Sequence, residues 1–314
     1  MDKAIIQPIS AIIPTANRAG VLQATFTSIA NQNVQPAEII VIDASDDDHT
    51  QKVCATQFEK LESNIVYLKG AKKGAAIQRN QGMSVAKHVF ILFCDDDILL
   101  EPFCIERLWS GINSEENIGG VNAMVTNQRY HTPGKLTRTM YRMMYGEKLN
   151  TYAGKCIGPA WNLLPEDNDS LPELVPVDWL NTTCTLYRKE ALPDPVFSEV
   201  FTGYSLMEDL TLSLIVARNY KLYNARTARI FHDSQPGSHK NNTFEQARME
   251  LLNRYYVMQH VLHRGGFKNY AKLSILQLFG IITSLTNSSG WKKLLPSVGG
   301  KLAAIGDIAK GKMK

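Results

Sequence analysis

The stretch VFILFCDDDILLEP, residues 89–102, decides the fold. Residues 89–94 are apolar without a break, and that run is too short for a buried helix. It reads as a strand covered on both faces, the habit of parallel sheets flanked by helices. Three aspartates, Asp95, Asp96 and Asp97, stop it at once. Working upstream, ISAII (9–13), EIIVID (38–43) and Ile65–Leu68 are strands of the same kind. Between the first two, Leu22, Phe26, Ile29 and Ala30 fall on one face of a helix, and after the second strand and its acidic loop a further helical stretch runs to about Leu61. Strand alternating with helix predicts an α/β fold with a mainly parallel sheet. In such sheets ligands bind beyond the carboxyl ends of the strands, so the loops after Ile13, Ile42 and Cys94 share one rim.

Two carboxylates at i and i+2 beyond a strand end can reach one divalent cation. Asp95 and Asp97 stand in that relation, with Asp96 between them. Hard carboxylate oxygens suit Mg²⁺ or Mn²⁺, ions that keep positions open for phosphates. The competing reading is a helix cap or turn. Three adjacent acids repel one another unless a cation compensates, which favours the metal reading here. For Asp46, Asp47 and Asp48 in ASDDDHT (44–50) the turn-and-cap reading prevails. Asp43 ends a buried strand on the shared rim, where its carboxylate can accept hydrogen bonds from a base or ribose.

Downstream, residues 124–176 are irregular and rich in Met, Tyr and Arg, then in Pro and Asp, as expected of a functional loop. Regular patterning returns with WLNTTCTLYR, a helix from about Leu206 to Asn219, a strand ending ARTARIFH, and helices from Phe244 onward. Glu208 and Asp209 open the first of these helices. Acids at a helix N-terminus are favoured by the macrodipole, and they can equally supply a general base. A lone histidine such as His232 is more often structural than a ligand.

Composition excludes several classes. The chain has 314 residues, 44% hydrophobic and 20% charged, ordinary for a globular protein. The apolar run near the N-terminus is broken by Pro8 and Pro14, which reads as a first strand and not a secretion signal. Five scattered cysteines without CxxC spacing suit neither a disulfide framework nor a zinc site, and point to a reducing compartment. The net charge of +4 is uneven: from Gly265 on, eight lysines and Asp307 give +7, leaving −3 for residues 1–264. An acidic body with a basic tail does not suit nucleic acid, whose binding needs a basic groove. It suits an anionic membrane surface. LSILQLFGIITSL (273–285) is too short to span a bilayer. In residues 291–314, Leu294, Leu295, Val298, Leu302, Ile305 and Ala309 fall within an arc of about 100° on a helix, with lysines mostly opposite. That pattern predicts a helix lying in the membrane interface, against the plain alternatives of a packed or disordered tail.

Five ordered segments together resemble the family 2 glycosyltransferases: SAIIPTANR (10–18), EIIVIDASDDDHT (38–50), GAAIQRNQG (74–82), VFILFCDDDILLEP (89–102) and MEDLTLSLIVAR (207–218). The resemblance covers roughly residues 8–235. It implies a GT-A fold, Mn²⁺ or Mg²⁺, a nucleoside-diphosphate-sugar donor and inversion at the anomeric carbon. By similarity, Pro14, Thr15, Asn17 and Asp43 line the nucleotide pocket, and Arg79 lies beside the base and phosphates. Asp97 is implied as the principal metal ligand, with Asp95 and Asp96 assisting and His232 near the diphosphate and metal. Asp209 is implied as the base and Glu208 as its support, while Trp179 is placed to stack on a sugar. The sequence departs from processive members in lacking a QxxRW motif, which implies a single-addition enzyme.

The expected organisation is a catalytic domain over 1–240, with a nucleotide-binding half (1–123) and an acceptor-binding half (124–240), then a basic helical extension over 241–314. The expected activity is sugar transfer to a hydroxyl acceptor in polysaccharide, cell-envelope or glycolipid assembly. Glycan or lipid-linked glycan is the expected acceptor, and the cytoplasm or the cytoplasmic membrane face the expected location. Two rivals compete. A sugar-nucleotide nucleotidyltransferase carries a glycine-rich basic loop after its first strand, where this chain has PTANRAG. A non-catalytic sugar-binding or scaffold protein has little use for both an acidic triple and an acid pair.

Overall fold

The computed structural model describes residues 3–56, 58, 60–201, 206–235, 242–286 and 288–311. The elements follow in chain order: β1 (Ile5–Thr15), α1 (Ala19–Ala30), β2 (Val34–Asp43), α2 (His49–Ala55), β3 (Asn64–Lys69), α3 (Ala75–Met83), β4 (Phe90–Cys94), β5 (Ile98–Leu100), α4 (Cys104–Ile112) and β6 (Ile118–Val125). Then come α5 (Lys135–Tyr145), β7 (Cys156–Ile157), β8 (Trp161–Asn162), β9 (Leu174–Pro176), β10 (Cys184–Arg188), α6 (Glu208–Val216), β11 (Lys221–His232), α7 (Thr243–Tyr256), α8 (Phe267–Ser284) and α9 (Ser288–Ala309).

The chain divides into two units. The first comprises Met1–His131, Ala153–Lys155 and Leu164–Gln235; the second comprises Thr132–Tyr152, Cys156–Leu163 and Pro236–Lys314. The first unit is built on one sheet of order β3-β2-β1-β4-β10-β6-β11-β5, with β9 added on β11. Successive side chains on a strand face opposite ways. Accordingly Ile9, Ala11, Ile13, Leu92 and Cys94 enter one apolar layer with Leu22 and Phe26 of α1. Ile12, Ile40, Ile42, Ile91 and Phe93 enter the layer on the opposite face. Burial on both faces is why these strands read as unbroken apolar runs.

The sheet is parallel through β3, β2, β1 and β4, as expected. Beyond β4 it is mixed: β10 runs antiparallel between β4 and β6, while β6 and β11 are parallel. Strand β6 was not legible because IGGVNAMV opens on a glycine pair, ordinarily a turn signal. Here glycine answers a packing demand: a Cβ on Gly120 would come 2.7 Å from the Tyr187 ring.

The second unit is helical apart from the β7–β8 hairpin. Trp161 packs edge-on against Tyr141, with centroids 5.0 Å apart, and next to Phe279 of α8. Leu251 and Met258 form a small core with Leu273 of α8 and Ala304 of α9. Among the described residues, no helix is long and apolar enough to cross a membrane.

Candidate active site

All the predicted site residues lie in the first unit. Thr15 and Asp43 end β1 and β2 as register partners, and Asp95 follows β4 directly, so these ends of the parallel strands form one rim. Gln78 of α3 fastens it, its amide nitrogen donating to the Thr15 carbonyl (2.9 Å) and the Ile42 carbonyl (2.7 Å).

The three aspartates after β4 diverge: Asp95 meets Arg79, while Asp96 and Asp97 share Arg18. Asp95 takes the Arg79 Nη2 at 2.6 Å. Asp96 turns inward, accepting from the Thr15 hydroxyl at 2.6 Å and from Arg18 at 3.1 Å. Asp97 lies 3.0 Å from the Nε2 of His232 and 3.4 Å from Arg18. The repulsion expected among three adjacent acids is therefore met partly by the protein's own cations. Arg18 belongs to this cluster although no motif singled it out. Its only sequence signal is its place in PTANR, on the loop that faces the aspartates. Thr25 of α1 adds a further clamp, its hydroxyl lying 2.7 Å from the Asp96 carbonyl and 3.0 Å from that of Ile98.

One oxygen each from Asp95 and Asp97 and one ring nitrogen of His232 lie within 4.8 Å of one another, close enough to share a single ion. Asp96 is outside this group. The donor set, two carboxylates and an imidazole at the sheet rim, fits a divalent cation such as Mn²⁺. The other ring nitrogen of His232 is 3.1 Å from the Gln128 amide, an outer partner that orients the ring. Gln235 adds a backbone N–H to Asp97 at 3.3 Å.

Arg79 connects the aspartates to the acid pair. Its guanidinium is only 3% exposed, with Nη2 on Asp95 and Nη1 on Glu208 at 3.0 Å, across 129 residues of chain. It also lies over the Phe197 ring, 5.6 Å from the centroid. Family resemblance implies an arginine beside base and phosphates, whereas the described contacts of Arg79 are with acids. Glu208 and Asp209 open α6 as predicted, after Met207 in a left-handed conformation (φ 76°).

Burial shapes the protonation of these acids. It pushes Glu208 up to about 8, with Arg79 opposing and Asp209 reinforcing the rise. It pushes Asp209 up to about 6 against the Leu210 N–H, which donates to Oδ1 at 2.7 Å. Asp96 is likewise raised by burial to about 6, with Thr15 and Arg18 opposing. Burial also acts on Asp97, but the His232 contact outweighs it and holds this carboxyl below its ordinary value.

The remaining predicted residues border the rim. Pro14 is buried in β1, and Asn17 is exposed in a left-handed conformation (φ 57°). The Asn17 N–H donates to the Ser45 hydroxyl (2.7 Å), while its side-chain oxygen accepts from the Asp46 N–H (3.1 Å), joining the first and second loops. Asp43 is fully buried, accepting from the Ser45 N–H (2.8 Å) and the Tyr67 hydroxyl (3.0 Å). Trp179, in the segment before β10, is buried, keeping only 7% of its surface, and no described contact places it on the rim.

Residues 10–192 match the family model described as glycosyl transferase family 2. The chain is 35% identical over 267 residues to a GalNAc(5)-diNAcBac-PP-undecaprenol beta-1,3-glucosyltransferase of Campylobacter jejuni, covering 84% of this chain and 78% of that one. It is 29% identical over 109 residues to the glycosyltransferase GlyG of Streptococcus pneumoniae, covering 34% of this chain and 36% of that one. Among solved structures it resembles a mannosyltransferase of Pyrobaculum calidifontis, solved with GDP-Man and Mn²⁺. The TM-score is 0.55 at 12% identity, over 96% of this chain and 86% of that one, a likeness of fold.

Proposed function

This chain belongs to glycosyl transferase family 2 and is a glycosyltransferase of GT-A fold; on that premise we propose that it moves a sugar, with inversion, from a nucleoside-diphosphate sugar to a hydroxyl of a glycan or lipid-linked glycan. The observation that carries the reading is Arg79, one guanidinium gripping both Asp95 of the three-residue metal group and Glu208 of the acid pair. It supports a diphosphate end and a proton-accepting end joined at one rim.

Asp95, Asp97 and His232 are assigned to hold Mn²⁺ or Mg²⁺, which when bound stabilises the charge on a departing diphosphate. The Gln128 amide beside His232 suits this role, since in its other orientation it accepts the ring N–H and frees the nitrogen facing Asp97 for the ion. Asp209 is assigned as general base. As the acceptor oxygen bonds to the anomeric carbon, the bond from that carbon to the diphosphate breaks on the opposite face. The electron pair leaves with the diphosphate, and the acceptor proton passes to Asp209. Among the described residues Asp209 makes no ion pair within 4.0 Å, whereas Glu208 is committed to Arg79. Glu208 supports, and Arg79 keeps the two acids and Asp95 in fixed relation.

Pro14, Thr15, Asn17 and Asp43 are assigned to the nucleotide side of the rim, with Asp96 holding that side to the metal loop through Thr15. Residues 1–123 and 124–240 are proposed as donor and acceptor halves of the catalytic part, and 241–314 as the extension. The Campylobacter relative is named for a polyprenyl-diphosphate-linked acceptor. A similar acceptor would bring this enzyme to the cytoplasmic face of a membrane as a peripheral protein, touching it through 291–314.

The test is donor turnover with UDP-, GDP- and dTDP-sugars, with and without EDTA. Release of a nucleoside diphosphate that stops with EDTA is expected. Pyrophosphate release, or transfer indifferent to chelation, refutes the assignment.

A further inference from the structure

Helices usually turn their apolar face inward; α9 does the reverse. Gly300 faces α7 so closely that a Cβ there would collide with the Phe244 carbonyl. Asp307 receives Arg248 of α7 at 2.5 Å, and Lys301 reaches Glu250 of α7 and Gln277 of α8. Small and polar residues thus make the inner face. Leu295 and Leu302 are left 81% and 63% exposed, with Ile305 beside them. Helix α8 repeats the pattern: Leu273 and Leu276 point inward, while Leu278 and Ile282 are 58% and 57% exposed and Leu285 continues their stripe. The helices meet where the exposed Trp291 donates its indole N–H to the Leu285 carbonyl at 2.7 Å.

Charge separates in the same way. The second unit holds 16 Lys and Arg against four Asp and Glu, a net +12. The first holds 18 against 26, a net −8. Lys268 and Lys272 on α8, Lys292 and Lys293 on α9 and Lys310 just after it accompany the apolar stripes. A protein partner would need a matching apolar groove for each helix. An anionic bilayer supplies apolar depth and negative charge at once, and an indole settles at its interface.

We propose that the α8–α9 hairpin is the membrane-docking element of this enzyme, lying in the interface of an anionic phospholipid bilayer with the outward stripes of both helices in the acyl boundary. This deepens the peripheral reading given above, which assigned contact to residues 291–314 alone, and it brings α8 into the contact.

Flotation of the full chain with phosphatidylglycerol and phosphatidylcholine vesicles tests it. Binding to phosphatidylglycerol, weakened by salt and absent on phosphatidylcholine, is expected. Leu278→Glu with Ile282→Glu on α8, and separately Leu295→Glu with Leu302→Glu on α9, should each reduce that binding by about tenfold or more. These positions are solvent-exposed, so the far-UV circular dichroism and melting temperature should match wild type. Donor turnover with a water-soluble acceptor should also be unchanged. If the α9 pair abolishes binding while the α8 pair leaves it intact, the hairpin assignment falls and the tail alone binds. Equal vesicle binding by all variants overturns the surface altogether, as does vesicle-free dimerisation that the same substitutions break. Vesicle binding without sugar transfer from any donor would sink the catalytic reading and leave the surface standing.

Discussion

Replacing Arg79 with methionine removes the cation between Asp95 and Glu208 while roughly keeping side-chain volume. The guanidinium is 3% exposed, and its partners Glu208 and Asp95 are 10% and 24% exposed, so solvent screens neither pair strongly. Removing one partner from a buried ion pair costs about 3–5 kcal/mol, because the charge left behind loses its compensation. Glu208 has an escape: burial already raises it to about 8 with Arg79 present, and without Arg79 it binds a proton more tightly still. The loss near neutral pH should therefore lie toward the lower end, about 3 kcal/mol, equivalent to a fall in melting temperature of about 6–12 °C. The pH sign follows from linkage. A carboxyl whose folded value lies above its unfolded value contributes stability that is full below the unfolded value and is lost as pH rises through the folded one. The deficit of the methionine variant should accordingly be larger at about pH 8.5 than at about pH 6. Arg79→Lys keeps the charge but not the fork that reaches both acids, and should fall between. Thermal unfolding at the two pH values, with a double-mutant cycle against Glu208→Gln, measures the effect. A coupling of about 1.5 kcal/mol or more is expected. A methionine variant melting within about a degree of wild type at both pH values would refute the bridge.

Asp97→Ala should abolish metal-dependent release of nucleoside diphosphate and the Mn²⁺-induced rise in melting temperature; intact metal-dependent transfer would overturn the catalytic assignment. His232→Ala should weaken Mn²⁺ without abolishing it, read as a rightward shift of the metal titration of activity. Turnover should rise with pH through about 6, where Asp209 loses its proton and becomes able to accept one, and Asp209→Asn should be inactive at every pH. A rate falling as pH rises through that range would exclude this base. Thr25→Val keeps the side-chain shape and removes the hydroxyl that clamps the aspartate loop, at a cost of about 1–3 kcal/mol by denaturant unfolding.

The site was legible where chemistry sits in adjacent residues. Asp95 and Asp97 announce themselves by interrupting an apolar run, and Glu208 and Asp209 by opening a helix. Arg18 carried no comparable signal, since its role depends on the loop after β1 facing the loop after β4. Asp96 sits in the middle of the acidic triple yet turns away from the three-residue metal group toward Thr15 and Arg18, because alternate residues beyond a strand end diverge. Arg79 was expected beside phosphates, and its observed contacts with two acids depend on a helix α6 lying 129 residues downstream.

In the fold, strands buried on both faces leave a local signature, so β1, β2 and β4 could be read without partners. Strand β6 could not, because its glycines answer to Tyr187 and Tyr220, residues distant in sequence. The antiparallel insertion of β10 is likewise a choice among neighbours, invisible to the strand itself. The sequence by itself determined the α/β class, the acidic rim and the amphipathic character of the last helix, since each follows from spacing along a few turns or residues. Only the tertiary structure decided which acids share a cation, and that α9 turns its glycine and polar residues inward and its leucines out. Both outcomes are settled by what packs opposite, and periodicity carries no information about that.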